Sequence, residues 1–121
     1  MEQKDVYANE LAERLFKFAS DVIAFLMTMV YIPEANTIRY QLTKSSGSSG
    51  ANYEEAQAGS SRADFANKVR ISLREMRESN YWLRLVKSSG IKCNSIERDR
   101  LISESRELMN ILGSIVQKAR N

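Results

Sequence analysis

The sequence predicts an all-α fold, an antiparallel up-down-up-down four-helix bundle forming a single domain over residues 1–121. Three observations carry that expectation. Apolar residues recur at alternating steps of four and three through several long runs, the spacing of one face of a helix. With one proline and five glycines in 121 residues, little interrupts those runs. The breaks fall near Pro33, at Gly59-Ser60-Ser61 and at Ser88-Ser89-Gly90, and short connections between helices of similar length make antiparallel neighbours.

The first helix is expected from about Asp5 to Tyr31, with Leu11, Leu15, Phe18, Val22, Phe25 and Met29 as its seam. Past Val22, the apolar residues Ile23, Leu26, Met27 and Val30 surround the helix, so this end is expected to be buried on more than one side. Pro33 is the expected stop, because the residue before a proline avoids the helical region.

The second helix is expected from near Glu34–Thr37 to about Ala58, and it crosses the run SSGSSG. Composition reads that run as a flexible linker. Helical spacing reads Ile38, Leu42, Ser45, Ser49, Asn52 and Ala56 as a buried stripe whose small residues admit a neighbouring backbone, at roughly 1 kcal/mol per interior glycine. From composition alone both readings stand.

The third helix, from Arg62 to about Lys87, opens on Ser61 and Asp64 in the manner of a capping box. Phe65, Val69, Ser72, Met76, Ser79, Leu83 and Val86 form its core seam, supported by Leu73. A second row holds Ile71, Glu75, Glu78, Trp82 and Leu85, and a third holds Arg70, Arg74, Arg77, Tyr81 and Arg84. Seven basic and three acidic residues lie between Arg62 and Lys87, a net +4 where the whole chain is +3. This helix therefore carries the basic excess. Gly90 suits a left-handed cap after it. Asn94 and Glu97 then cap a fourth helix from about Ser95 to Ala119, with a seam of Leu101, Ser105, Leu108, Leu112 and Ile115. Ile102, Met109 and Val116 form a further row, and Lys118 and Arg120 suit the helix dipole.

Composition narrows the function classes. Hydrophobic content of 43% and charged content of 27% are those of a globular chain. The absence of histidine removes the commonest general base and the commonest metal ligand. No catalytic set, metal site or cofactor motif is expected, and the chain is not expected to be an enzyme. Asn52, Glu54, Glu55 and Arg62 form no hydrolytic set, and Glu55 is expected to be a buried or capping carboxylate paired with an arginine. SSGSSG lacks the Lys-Ser/Thr ending of a phosphate loop. The single cysteine, Cys93, excludes an internal disulfide. The apolar run Val22–Ile32 falls short of the roughly 20 residues that span a bilayer. Acidic residues stand in MEQKDVYANELAERL where a secretory signal is basic, so no membrane association is expected and the expected location is cytoplasmic.

The run SSGANYEEAQAGSSRADFANKVRISLREMRESNYWLRLV resembles bacterial four-helix-bundle proteins encoded by intervening sequences in 23S (large-subunit) ribosomal RNA genes, especially a Bacteroidetes-type branch. The matching positions are Ser49 to Tyr53, Glu55-Ala56-Gln57, Ala63-Asp64-Phe65, Lys68, Ile71, Leu73, Glu75, Glu78 and Tyr81-Trp82-Leu83. Arg62 stands where lysine is more usual. The resemblance covers about Ile38 to Val86, and it implies a packed helix through SSGSSG. It also implies a homopentamer. A related group, the accessory proteins of diversity-generating retroelements, is similar in architecture and binds nucleic acid and a reverse transcriptase through a basic surface. The expected partners are therefore other copies of the chain, RNA or DNA, and a partner enzyme.

Two readings attach to each candidate surface. Arg70, Arg74, Arg77, Tyr81 and Arg84 track a phosphate backbone with Tyr81 stacking on a base, or form a solvated face balanced by Glu75 and Glu78. Ile71, Trp82 and Leu85 form a subunit contact, joined by Phe25, Met27 and Met29, or pack inside one bundle. The functional expectation is a non-enzymatic oligomer that binds nucleic acid through the third helix; the alternative is a protein-interaction scaffold.

Overall fold

The computed structural model describes residues 3–59 and 61–119. It contains α1 (Gln3–Leu26), a 3-10 turn over Pro33–Ala35, α2 (Asn36–Gln57), α3 (Arg62–Ser89) and α4 (Ser95–Ala119). Each helix packs on its two neighbours in chain order, α4 closing back on α1, and the diagonal pairs stay apart. The result is the expected four-helix bundle. Ser60 and Arg120, where a break and a dipole role are expected, lie outside the described residues.

Leu15, Phe18, Val22 and Phe25 of α1 meet Leu42, Val69, Met76, Leu83, Leu101, Leu108 and Leu112 in the core. The seams of α1 and α4 hold as spaced, with Ile115 half-buried at the end. In α2 the buried stripe shifts by one position: Tyr53 is buried and Asn52 only half so. The larger apolar side chain takes the core position, while Asn52 bonds back to the Ser48 carbonyl at 2.9 Å.

SSGSSG is helical throughout. The buried Ser45 and Ser79 share a hydrogen bond of 2.8 Å between α2 and α3. One turn on, the Ser49 hydroxyl donates to the Ser72 carbonyl at 2.8 Å, and the Ser72 hydroxyl donates to the Ser49 carbonyl at 2.7 Å. Each of these buried hydroxyls thus has a partner, which avoids the desolvation cost of an orphan of about 1–3 kcal/mol. On the other side of α2, a Cβ placed on Gly50 would lie 3.5 Å from the Leu15 Cβ. Small residues therefore bring both neighbours close to α2.

The end of α1 departs from expectation. The helix stops at Leu26 rather than Tyr31, well before Pro33. The Arg39 guanidinium donates to the carbonyls of Leu26, Met29 and Val30 at 2.7–2.8 Å, supplying the donors a helix C-terminus lacks. Val30 N–H turns away to the Lys92 carbonyl at 2.9 Å, and Asn94 N–H donates to the Thr28 hydroxyl at 3.0 Å. Pro33 opens the 3-10 turn instead. Nor is this end buried on several sides: Leu26 is buried, but Ile23, Met27 and Val30 are exposed.

At both expected capping boxes the N-cap half forms, while the Asn94 N–H goes to Thr28 rather than to Glu97. Ser61 accepts from Asp64 N–H at 3.0 Å, and Asn94 accepts from Glu97 N–H at 3.1 Å. Gly90, at φ 69°, ends α3 in the left-handed region that glycine enters at little cost.

Candidate nucleic-acid interface

At 28 residues, α3 is about 42 Å long. Val69, Ser72, Met76, Ser79, Leu83 and Val86 all turn inward, and at 100° per residue this forces Arg70, Arg74, Arg77, Tyr81 and Arg84 to the outside. None of the five is buried.

The acidic residues of α3 leave most of that row unpaired. Glu78 accepts from the Trp82 indole at 3.2 Å. Glu75 comes within 3.7 Å of Arg74, too long for a good charge-assisted hydrogen bond. Among the described residues, Arg70, Arg77 and Arg84 have no carboxylate partner within ion-pair distance.

Arg84 is instead oriented from the core. Its Nε donates to the Asn80 Oδ1 at 2.8 Å, the Asn80 amide donates to the Ser105 hydroxyl at 2.9 Å, and Ser105 donates to the Ile102 carbonyl at 2.8 Å. Asn80 and Ser105 are buried, so this chain of bonds fixes a surface cation through the α3–α4 seam. The Arg84 guanidinium lies 5.8 Å from the Tyr81 ring centroid, and Trp82 meets that ring edge-on at 5.2 Å. Tyr81 is held in place yet remains half exposed.

The structure adds two cations that sequence reasoning missed. Lys87 and Arg106 line a crevice of about 500 Å³ with Arg84 and Asp99, although Lys87 is paired with Asp99 at 3.2 Å. The signal for Arg106 is present in the sequence: it stands between Ile102 and Met109 on the α4 row that faces α3. Seeing it requires knowing which helices are neighbours.

The residues expected at a subunit interface divide. Ile71, Trp82 and Leu85 are half-buried on one side of α3, and Trp82 and Leu85 rest against the core. Phe25 and Met29 are buried inside the bundle at 1% and 2% exposure, so neither can present a surface to a second copy; they belong to the α1 seam. Glu55 is exposed and has no ion pair within the described residues, contrary to the expected arginine partner. Among the described residues no three metal-ligating side chains converge, and no helix is long and apolar enough to cross a membrane.

Comparison with known proteins agrees with this architecture. A crystal structure at 1.70 Å resolution, of a protein of unknown function from the S23 ribosomal protein family of Bacteroides thetaiotaomicron VPI-5482, is 30% identical with a TM-score of 0.78. The match covers 91% of this chain and 97% of that one. No curated protein matches the sequence. The family model described as 23S rRNA-intervening sequence protein matches residues 8–114. The chain belongs to the 23S rRNA-intervening sequence protein family.

Proposed function

We propose that this chain is a non-catalytic, oligomeric nucleic-acid-binding protein, and that the arginine row of α3 is the binding surface. The observation that carries the reading is the lack of compensation: the cations at 70, 77 and 84 have no carboxylate partner within the described residues. From Arg70 to Arg84 the row spans about 21 Å, the axial length of about six phosphates on one strand. Tyr81 offers a half-exposed ring on which a base can stack, and Arg106 continues the positive surface onto α4. Assembly into a homopentamer, which the family resemblance implies, would repeat the row five times and deepen its potential. Such an assembly would act in the cytoplasm by presenting bound RNA or DNA to a partner enzyme.

A fluorescence-anisotropy titration with structured RNA and with duplex DNA tests this. Binding at micromolar concentration or tighter that weakens steeply between about 50 and about 200 mM salt supports phosphate contacts. Flat anisotropy at both salt concentrations overturns the reading and leaves a protein-interaction scaffold, which the exposed Phe16, Tyr31 and Tyr40 would serve.

A further inference from the structure

We infer that successive copies join by seating the outward row of α2 on the side row of α3 in the next copy. This assignment rests on the oligomeric reading above and names its contact surface.

The serine contacts Ser45–Ser79 and Ser49–Ser72 fix the register of α2 against α3. By that register Glu55 lies level with Lys68, Ala51 with Ile71, Lys44 with Glu78, and Tyr40 with Trp82. On α2, Lys44, Ala51 and Glu55 are exposed and point away from the bundle, and Tyr40 joins them with 63% of its surface open. On α3, the side row is half-buried. In a ring whose axis parallels the helices, every residue keeps its level from one copy to the next. Acid then faces base at Glu55 and Lys68, a small residue faces Ile71, base faces acid at Lys44 and Glu78, and two aromatics meet at the end. Among the described residues Lys44, Glu55 and Lys68 have no ion pair within one copy, so their charges remain available.

The surface beside α2 is apolar. Phe16 is 63% exposed and Ile23 is 46% exposed on α1, and Phe16 lines a groove with Ala19, Gly47 and Ala51. A Cβ added at Gly47 would meet nothing within 4 Å, which leaves room for a neighbour to approach. The two matching patches differ from one another, so the contact is head-to-tail. They lie on adjacent walls of the bundle that share α2, so each added copy turns relative to the last, as closure into a ring requires. The arginine row on the α3–α4 wall stays uncovered.

The test uses chains carrying Cys93→Ser. Ala51→Cys and Ile71→Cys chains are co-expressed, oxidised and run on a denaturing gel, after the mass of the unmodified protein has been measured by light scattering. The expected result is a disulfide-linked mixed pair, with neither variant cross-linking alone. An oligomeric protein that gives no mixed pair overturns the assignment, as does cross-linking of Ala51→Cys alone, which would mean face-to-face packing. A monomeric unmodified protein overturns the oligomeric reading itself. As an independent readout, Lys68→Glu is expected to raise the concentration at which the assembly dissociates by about tenfold or more, and adding Glu55→Lys is expected to restore it. No restoration counts against the pairing.

Discussion

Arginines on two walls of this bundle occupy opposite electrostatic situations. Where α1 meets α4, each cation brings its own counter-ion. Arg14 makes a two-pronged contact with Glu104, both bonds at 2.8 Å, and reaches Glu107 at 3.1 Å. Arg100 bridges Glu97 and Asp21 at 2.6 and 2.8 Å, and Lys17 adds a second contact to Asp21. On α3, the same residue type stands in a row with no carboxylate at hydrogen-bond distance among the described residues. The hydrogen bonds that Arg14 donates to Glu104 push Arg14 further above its usual range, and they hold Glu104 below its own usual value. A cation recruited to hold two helices together is matched when the chain folds. A cation left unmatched costs self-repulsion and is free to meet an anion from outside. The difference separates charge matched within the fold from charge that the fold leaves unmatched.

The sharpest way to break the comparison is to reverse charge on the unmatched wall. Arg74→Glu with Arg77→Glu is expected to weaken nucleic-acid binding on the order of a hundredfold, with the melting temperature unchanged or slightly raised. A large loss of stability would mean that these arginines are structural after all.

Acid acts chiefly on the matched wall; elsewhere Asp99 is also held low, by Arg98 and Lys87. Glu104 and Glu97 are held low by Arg14 and Arg100 respectively, and for Asp21 burial opposes the shift but Lys17 and Arg100 outweigh it. Carboxylates depressed in the folded state stabilise it fully above their unfolded value, about 4.3 for glutamate, and that contribution is lost as pH falls through the folded values. Urea denaturation at pH 7 and at pH 3 is therefore expected to show a drop in stability that Glu104→Gln makes smaller. An equal drop in both proteins would contradict this.

At neutral pH, Glu104→Gln itself is expected to cost about 1 kcal/mol, or about 4 °C in melting temperature, with nucleic-acid affinity untouched. The smallest expected effect lies where the two kinds of charge meet. Asn80→Leu releases Arg84 from its buried tether, so binding must then order that side chain, and affinity should fall about threefold. Unchanged affinity would remove Arg84 from the surface that matters.

Much of this architecture is legible in the sequence, because it depends on local rules. The seams of α3 and α4, the caps at Ser61 and Asn94, and the glycine after α3 all follow from spacing and residue type. Most of what is not legible depends on distant partners. Arg39 ends α1 from across a loop, so any local reading assigns the stop to the proline further along the chain. Ile23, Met27 and Val30 look like core by hydropathy, yet no further helix covers them among the described residues. The interface expected at Phe25 and Met29 fails for a reason already in the spacing, since their seam position places them inside. On the candidate surface, the row itself is readable from helical periodicity. That Glu78 serves Trp82 rather than an arginine is not, and on this point the two readings of the row divide.

The most direct measurement is the salt dependence of nucleic-acid affinity for the unmodified protein beside Arg70→Gln/Arg77→Gln. If these arginines contact phosphates, the slope of log affinity against log salt should become shallower by about 1.4–1.8, the release of counter-ions from two phosphates. An unchanged slope, with binding retained, would place the contact elsewhere and contradict the assignment of the unmatched wall.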